Sequence, residues 1–250
     1  MTDVDKHVKD TKGEPAAQEG AATVATDDLA IRLGELARAL QQDDGAEQMM
    51  TDTVLAAIDL IPGVNNGSIS VVTARKHVQS RAASSDLARR IDAFQEETGQ
   101  GPCLSAIYEE RTIRIPDMTC ETRWPEFIRK AVQTGVGSML CFQLYVQEDN
   151  LGALNLYGDV GAFTDESEHV GLLVAAHAAV AYAGELKTDQ LGEAISTRDL
   201  IGQAKGILME RYKITGHQAF TILARASSQS NVKLREVAEH LVTSGDVLHK

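Results

Sequence analysis

Arg198-Asp-Leu-Ile-Gly-Gln-Ala-Lys-Gly-Ile-Leu-Met-Glu-Arg211 reads as a helix that carries two glycines four residues apart. Each glycine in a helix interior costs roughly 1 kcal/mol relative to alanine. Two of them on one face call for a reason, either close packing of another helix or close approach of a ligand. Arg198, Gly202, Lys205 and Met209 follow at spacings of 4, 3 and 4, so they share that face. A face with no bulk at its centre and cations beside it suits an anionic backbone better than a small-molecule pocket.

The charge around this stretch is unlike that of the rest of the chain. The 250 residues carry a formal net charge of −12. Residues 188–250 hold 8 Lys and Arg against 7 Asp and Glu, while the remainder holds 16 against 29. The C-terminal segment is therefore the one place where an anionic partner is not repelled by its own module. This is permissive and does not amount to a basic patch. The three cysteines, Cys103, Cys120 and Cys141, form no Cys-x-x-Cys pair and no Cys/His cluster of zinc spacing. Together with the lack of a signal-peptide pattern, this favours a reducing, cytoplasmic setting. No apolar run is read as approaching the ~20 residues that cross a bilayer, so no membrane partner is expected.

Working back toward the N-terminus, the predicted fold class is α+β. Residues 1–26 are poor in large apolar residues and read as a disordered tail. Asp27-Asp28 reads as the N-cap of a first helix through Leu29, Leu33, Leu36 and Leu40, and a second helix runs from about Ala46 to Ile61. Ser68–Thr73 reads as a strand that residues 77–83 can pair with. Ser85–Glu97 has helical spacing, and Gly99-Gln-Gly-Pro-Cys-Leu is a tight loop into a short helix. Thr112–Ile115 is a strand, Trp124–Gln133 a helix with Pro125 in its first turn, and 138–146 and 151–157 are strands joined by a polar turn. This pattern predicts a sensor-like sheet domain with flanking helices. From Asp165 the chain turns helical and apolar and runs without proline into the opening stretch. Two shorter helices follow, about 215–227 and 233–244, with Ser227–Asn231 as a polar loop between them. The expected boundaries are a tail at 1–26, a sheet domain with leading helices at 27–187, and a three-helix bundle at 188–250.

Residues 188–247 resemble an ANTAR domain through Arg198, Ile201-Gly202, Ala204 to Met209, Ala219-Phe220, Leu223, Ser228, Asn231, Leu234 and Val237-Ala238. Such domains bind RNA, typically a pair of small stem-loops in nascent transcripts, and prevent a terminator from forming. The resemblance thus implies transcription antitermination. Residues about 45–184 resemble a GAF domain of the kind fused to ANTAR in actinobacterial regulators. The matching pieces are Gly99–Leu104, Arg123-Trp124-Pro125, Gly135–Ser138 and Leu151–Tyr157. That resemblance implies a sensory module whose small-molecule effector the residues do not identify. The sequence carries no cyclic-nucleotide motif, no bilin-type Cys-His pair and no expected cofactor.

Each singled-out residue has a plainer reading beside the functional one. Gly202 and Gly206 suit helix packing or RNA approach alike. Arg198 and Lys205 are the residues assigned to phosphates, or to a guanine edge by bidentate contact from Arg198. Met209, Arg211, Arg225 and Asn231 complete the expected RNA-binding set, and Lys213 sits in a turn. Ser227–Asn231 has capping chemistry by default, with its amides and hydroxyls able to reach loop bases. Tyr212 is the expected base-stacking aromatic, and Phe220 reads as core. Cys103 follows Gly-Pro at a predicted helix N-terminus, where the dipole lowers a thiol pKa and permits redox sensing; a small buried residue is the plainer account. His77, His169 and His177 show no metal-site spacing, and no Gly-x-Ser-x-Gly, His-Glu-x-x-His or phosphate loop occurs. The sequence thus favours a non-enzymatic RNA-binding regulator, with a homodimer suggested by the long apolar helix. The rivals are a DNA-binding helix-turn-helix factor and a thiol-based sensor or enzyme centred on Cys103.

Overall fold

The computed structural model describes residues 16–41 (backbone only for 16–27), 45–73, 78–147 and 149–246. The chain divides into two compact units, Met1–Ala183 and Gly184–Lys250. Residues 1–15 of the expected tail, and His77, lie outside the described residues.

Helix α1 spans Ala16–Ala39 and α2 spans Ala46–Leu60. The first helix thus begins well ahead of the Asp27-Asp28 cap, within the stretch read as disordered. Ala16, Ala17, Ala21 and Ala22 have the highest helix propensity of any residue, which a reading based on missing large apolar residues undervalues. Leu33, Leu36 and Leu40 are buried, as are Met49, Met50, Val54 and Ala57 of α2. Arg32 Nη2 donates to Asp59 Oδ2 at 2.5 Å, tying the two helices.

The sheet holds five strands in the order β2-β1-β5-β4-β3, with every neighbouring pair antiparallel. The strands are β1 (Asn66–Val72), β2 (Val78–Ala83), β3 (Thr112–Ile115), β4 (Ser138–Val146) and β5 (Asp149–Gly158). Between them lie α3 (Asp86–Thr98), α4 (Pro102–Tyr108) and α5 (Pro125–Ala131). The Ser85 hydroxyl caps α3 by accepting from Ala88 N, and Gly99 ends it in the left-handed region.

Strand alternation sorts the core into two layers. Met139 and Cys141 of β4 and Tyr157 of β5 join Ile91, Ala106, Phe127 and Met118 in one cluster under α3 to α5. Leu140, Phe142, Leu154 and Leu156, which alternate with them, are fully buried on the other face. There α2 and the start of α6 (Asp165–Tyr212) cover the sheet. A Cβ on Gly67 would stand 3.3 Å from both Leu156 and Val54, and one on Gly171 would stand 2.3 Å from the Phe142 ring. A long apolar helix can therefore settle against β4 only because position 171 has no side chain.

The 48 residues of α6 include an 18-residue window of mean hydropathy 1.3, long and apolar enough to cross a bilayer by length and composition. This corrects the expectation that no such run exists; the alanines and glycines that interrupt its large residues hide it from inspection. In the folded chain Val170, Val174, Ala175, Ala178, Ala179 and Tyr182 of this helix are buried.

In the second unit, α7 spans Gly216–Ser230 and α8 spans Leu234–Ser244. Ala204 and Leu208 of α6 pack with Ala219, Leu223 and Ala226 of α7 and with Val237, Ala238 and Leu241 of α8. Ser227–Ser230 continue α7 instead of forming a loop, because Ser230 Oγ bonds back to Ala226 O at 2.7 Å and Asn231 supplies the left-handed cap at φ 55°.

Candidate nucleic-acid interface

The glycines of the opening stretch face outward. Gly202 and Gly206 are exposed, and a Cβ on either would meet nothing within 4 Å. No helix among the described residues packs on them, which removes the intramolecular-packing account. Their helix-destabilising cost has no compensation inside this unit, so the bare face is free for a partner outside it.

An open groove of about 740 Å³ follows this face. Its lining includes Thr197, Arg198, Ile201, Gly202 and Lys205 of α6, and Phe220 from α7. Phe220 is 41% exposed, which corrects its reading as core. It follows Ala219, which is fully buried, by about 100° of helix rotation and so leaves the packed stripe. Tyr212, the expected stacking aromatic, is exposed but lies outside the groove lining.

Local electrostatics separate the basic residues. Arg198 and Lys205 form no ion pair among the described residues, and Arg225 forms none either. A Cβ on Gly216 would stand 3.6 Å from Lys205 Cε, 3.7 Å from its Nζ and 3.5 Å from Met209 Sδ. The Lys205 ammonium therefore lies beside the N-terminal end of α7, where the helix dipole adds positive potential. Arg211 is committed elsewhere: its Nη1 donates to Gly245 O at 2.6 Å, joining the ends of α6 and α8. Lys213 pairs with Glu210. Arg235 Nη1 pairs with Glu193 Oε1 at 3.0 Å, engaging a carboxylate of the groove lining from α8.

Of the sequence-assigned set, the groove brings together Arg198, Gly202 and Lys205, with Gly206 and Met209 on the same helix. Arg225 lies about 140° around α7 from Phe220, away from the groove wall. Asn231 is exposed, and its positive φ gives it a capping role that explains its presence without a partner.

The first unit holds a polar cluster that the sequence reading missed. Asp92 of α3 is buried under the sheet, and its Oδ1 accepts from Ser68 Oγ at 2.9 Å, Tyr157 OH at 2.8 Å and Asn155 Nδ2 at 3.3 Å. Its Oδ2 accepts from Ser80 Oγ at 2.5 Å. Burial nevertheless dominates and raises the Asp92 carboxyl above its ordinary value, with the four hydrogen bonds opposing. Asn155 Oδ1 and Gln95 Nε2 find no hydrogen-bond partner among the described residues. The one sequence signal was the spacing of Ala88, Asp92 and Gln95, which puts them on one helix face.

Cys103 lies in the same region, 1% exposed. Gln95 Oε1 accepts from its backbone N–H at 2.8 Å. Burial, with the Asp92 charge nearby, pushes its thiol up to about 12. The expected dipole activation fails: α4 is a short helix of 7 residues, about two turns, and desolvation of a thiolate outweighs what it offers. Among the described residues no group of three or more His, Cys, Asp or Glu is placed to hold a metal ion.

Comparison with known proteins agrees with these two units. The family model described as a GAF domain matches residues 44–183, and that described as an ANTAR domain matches residues 189–242. No curated protein matches the chain. Among solved structures, the GAF domain of a phosphoenolpyruvate-protein phosphotransferase from Coxiella burnetii aligns at 16% identity and TM-score 0.50, covering 66% of this chain and 96% of that one. The free methionine-R-sulfoxide reductase of Neisseria meningitidis aligns at 12% identity and TM-score 0.52, covering 64% and 93%. The bacteriophytochrome RpBphP3 of R. palustris aligns at 11% identity and TM-score 0.53, covering 72% and 43%. At these identities the likeness is one of fold.

Proposed function

For a chain that belongs to the GAF domain family and carries an ANTAR domain behind it, we propose an RNA-binding regulator that antiterminates transcription. Both domains are regulatory modules, the first sensory and the second an RNA-binding antitermination module. The observation that carries the reading is the groove of the second unit. Two cations that form no ion pair among the described residues, Arg198 and Lys205, flank a helix face bared by Gly202 and Gly206. Phosphates neutralise such cations, and the missing side chains let a sugar-phosphate backbone approach closely. The partner is a stem-loop RNA of a nascent transcript.

The GAF unit takes a small-molecule effector, and the protein acts as a cytoplasmic homodimer without catalytic activity. Helix α6 carries residues of both units, so effector and RNA act by favouring the same state of this helix. A thiol-based reading, suggested by the fold shared with a sulfoxide reductase, is opposed by the buried, strongly protonated Cys103.

The test is a filter-binding comparison of leader RNA with duplex DNA of matched sequence across a salt series. RNA is expected to bind in preference and to weaken with salt. Lys205→Ala should lower the salt slope by about 1, as for one lost phosphate contact, and Arg198→Ala should reduce affinity further. Equal binding of RNA and DNA, or unchanged affinity in both variants, would refute the assignment.

A further inference from the structure

The groove that holds Arg198 and Lys205 has an aromatic wall. Phe220 is 41% exposed and lines the groove together with Gly202, where a Cβ would meet nothing within 4 Å. Single exposed apolar residues are ordinary and need no explanation. Phe220 differs by its company. Its ring shares one open groove with the Thr197 hydroxyl and with two cations that form no ion pair among the described residues. A groove of about 740 Å³ lies within the range of roughly 300–1,000 Å³ that accepts small planar ligands. Single-stranded RNA is read where bases are splayed out of the stack and laid on aromatic side chains, with adjacent phosphates held by cations. An apolar protein segment would use the ring and leave both cations desolvated without partners, which is costly.

We propose that Phe220 is the stacking platform for one unpaired loop base of the bound RNA. The base lies on the ring and over Gly202, while Arg198 and Lys205 take the flanking phosphates. This rests on the RNA-binding reading above and adds to it a residue that neither the charge pattern nor the sequence reading assigned. Tyr212, which lies outside the groove lining, has no part in it.

The experiment uses the full chain and a pool of RNA stem-loops with a fixed stem and a randomised loop. The most enriched hairpin is remade with 2-aminopurine at each loop position in turn. The parent protein should quench fluorescence at one position. Phe220→Ala and Phe220→Leu should lose that quench and bind about 5- to 150-fold more weakly, the range of one lost base–aromatic stack. Phe220→Trp should retain both. Phe220→Leu keeps an apolar side chain of similar bulk, so a thermal melt matching the parent separates loss of stacking from loss of folding. If Phe220→Leu binds and quenches as the parent does, the platform is refuted while RNA binding stands. If the parent enriches no stem-loop over duplex DNA, the RNA reading itself fails and takes the platform with it. Phe220 variants that change sedimentation but not RNA affinity would mark the groove as a protein interface and overturn the proposal.

Discussion

Two glycines of α6 carry opposite consequences. A Cβ at 171 meets the Phe142 ring at 2.3 Å, whereas one at 202 meets nothing within 4 Å. Gly171→Ala should therefore destabilise the first unit by about 1–3 kcal/mol through overpacking. Gly202→Ala should stabilise the second by up to about 1 kcal/mol through helix propensity, while weakening RNA binding because its methyl stands in the groove. Thermal melts with parallel RNA titrations check both, and a Gly202→Ala protein that gains stability with no loss of RNA affinity would remove that glycine from the interface. The cysteines separate as sharply. Cys103 and Cys141 are buried and Cys120 is exposed. Alkylation of the native protein followed by mass spectrometry should modify Cys120 alone, and labelling of Cys103 at neutral pH would reopen the redox reading. These contrasts were not legible in the sequence, which shows a glycine or a cysteine but not the side chains that the folded chain places against it.

Periodicity made α2, α3, α6 and α8 legible to within a residue or two. Thr215 Oγ1 accepts from Gln218 N at 3.3 Å, and Gln218 Oε1 accepts from Thr215 N at 2.9 Å, a reciprocal capping box at the start of α7. Thr215→Ala should cost about 1 kcal/mol, measured by denaturant unfolding of the full chain. An unfolding midpoint unchanged in the second unit would show that packing alone holds this helix. Where the reading of elements failed, longer-range or weaker signals were involved. The alanines that start α1 lack an amphipathic pattern, and the serines at the end of α7 look like loop residues until their hydroxyls are seen bonded to the preceding turn. Phe220 failed for a different reason. It follows the core position Ala219 directly, and one residue turns a side chain by about 100° out of the packed face.

At the scale of the molecule, the Asp92 cluster joins α3 to the neighbouring strands β2, β1 and β5, and its charge state is part of the fold. Burial raises its pKa, so folding favours the protonated acid. The stability this contributes is full below the ordinary value of 3.8 and is lost as pH rises through the raised native pKa. Subtracting the pH profile of Asp92→Asn from that of the parent should leave a slope of that sign; a flat difference would mean that the hydrogen bonds cancel the burial. The proposed dimer, suggested by the long apolar helix α6 with its exposed Val180, Leu191 and Ile195, predicts a sedimentation mass of twice the monomer, with monomer alone, in the presence and absence of RNA, as the contrary result.

The amino-acid sequence by itself determined what depends on residues a few positions apart: the strand alternation, the helical spacing of 85–97 and 233–244, the shared face of Arg198, Gly202, Lys205 and Met209, and the family resemblance those patterns carry. Tertiary structure decided what depends on distant partners. Tyr157 reaches Asp92 across 65 residues, Phe142 meets Gly171 across the sheet face, and Phe220 joins Arg198 in one groove. Burial, desolvation and exposure belong to the space a side chain ends in, and that space is made by residues its local sequence does not contain.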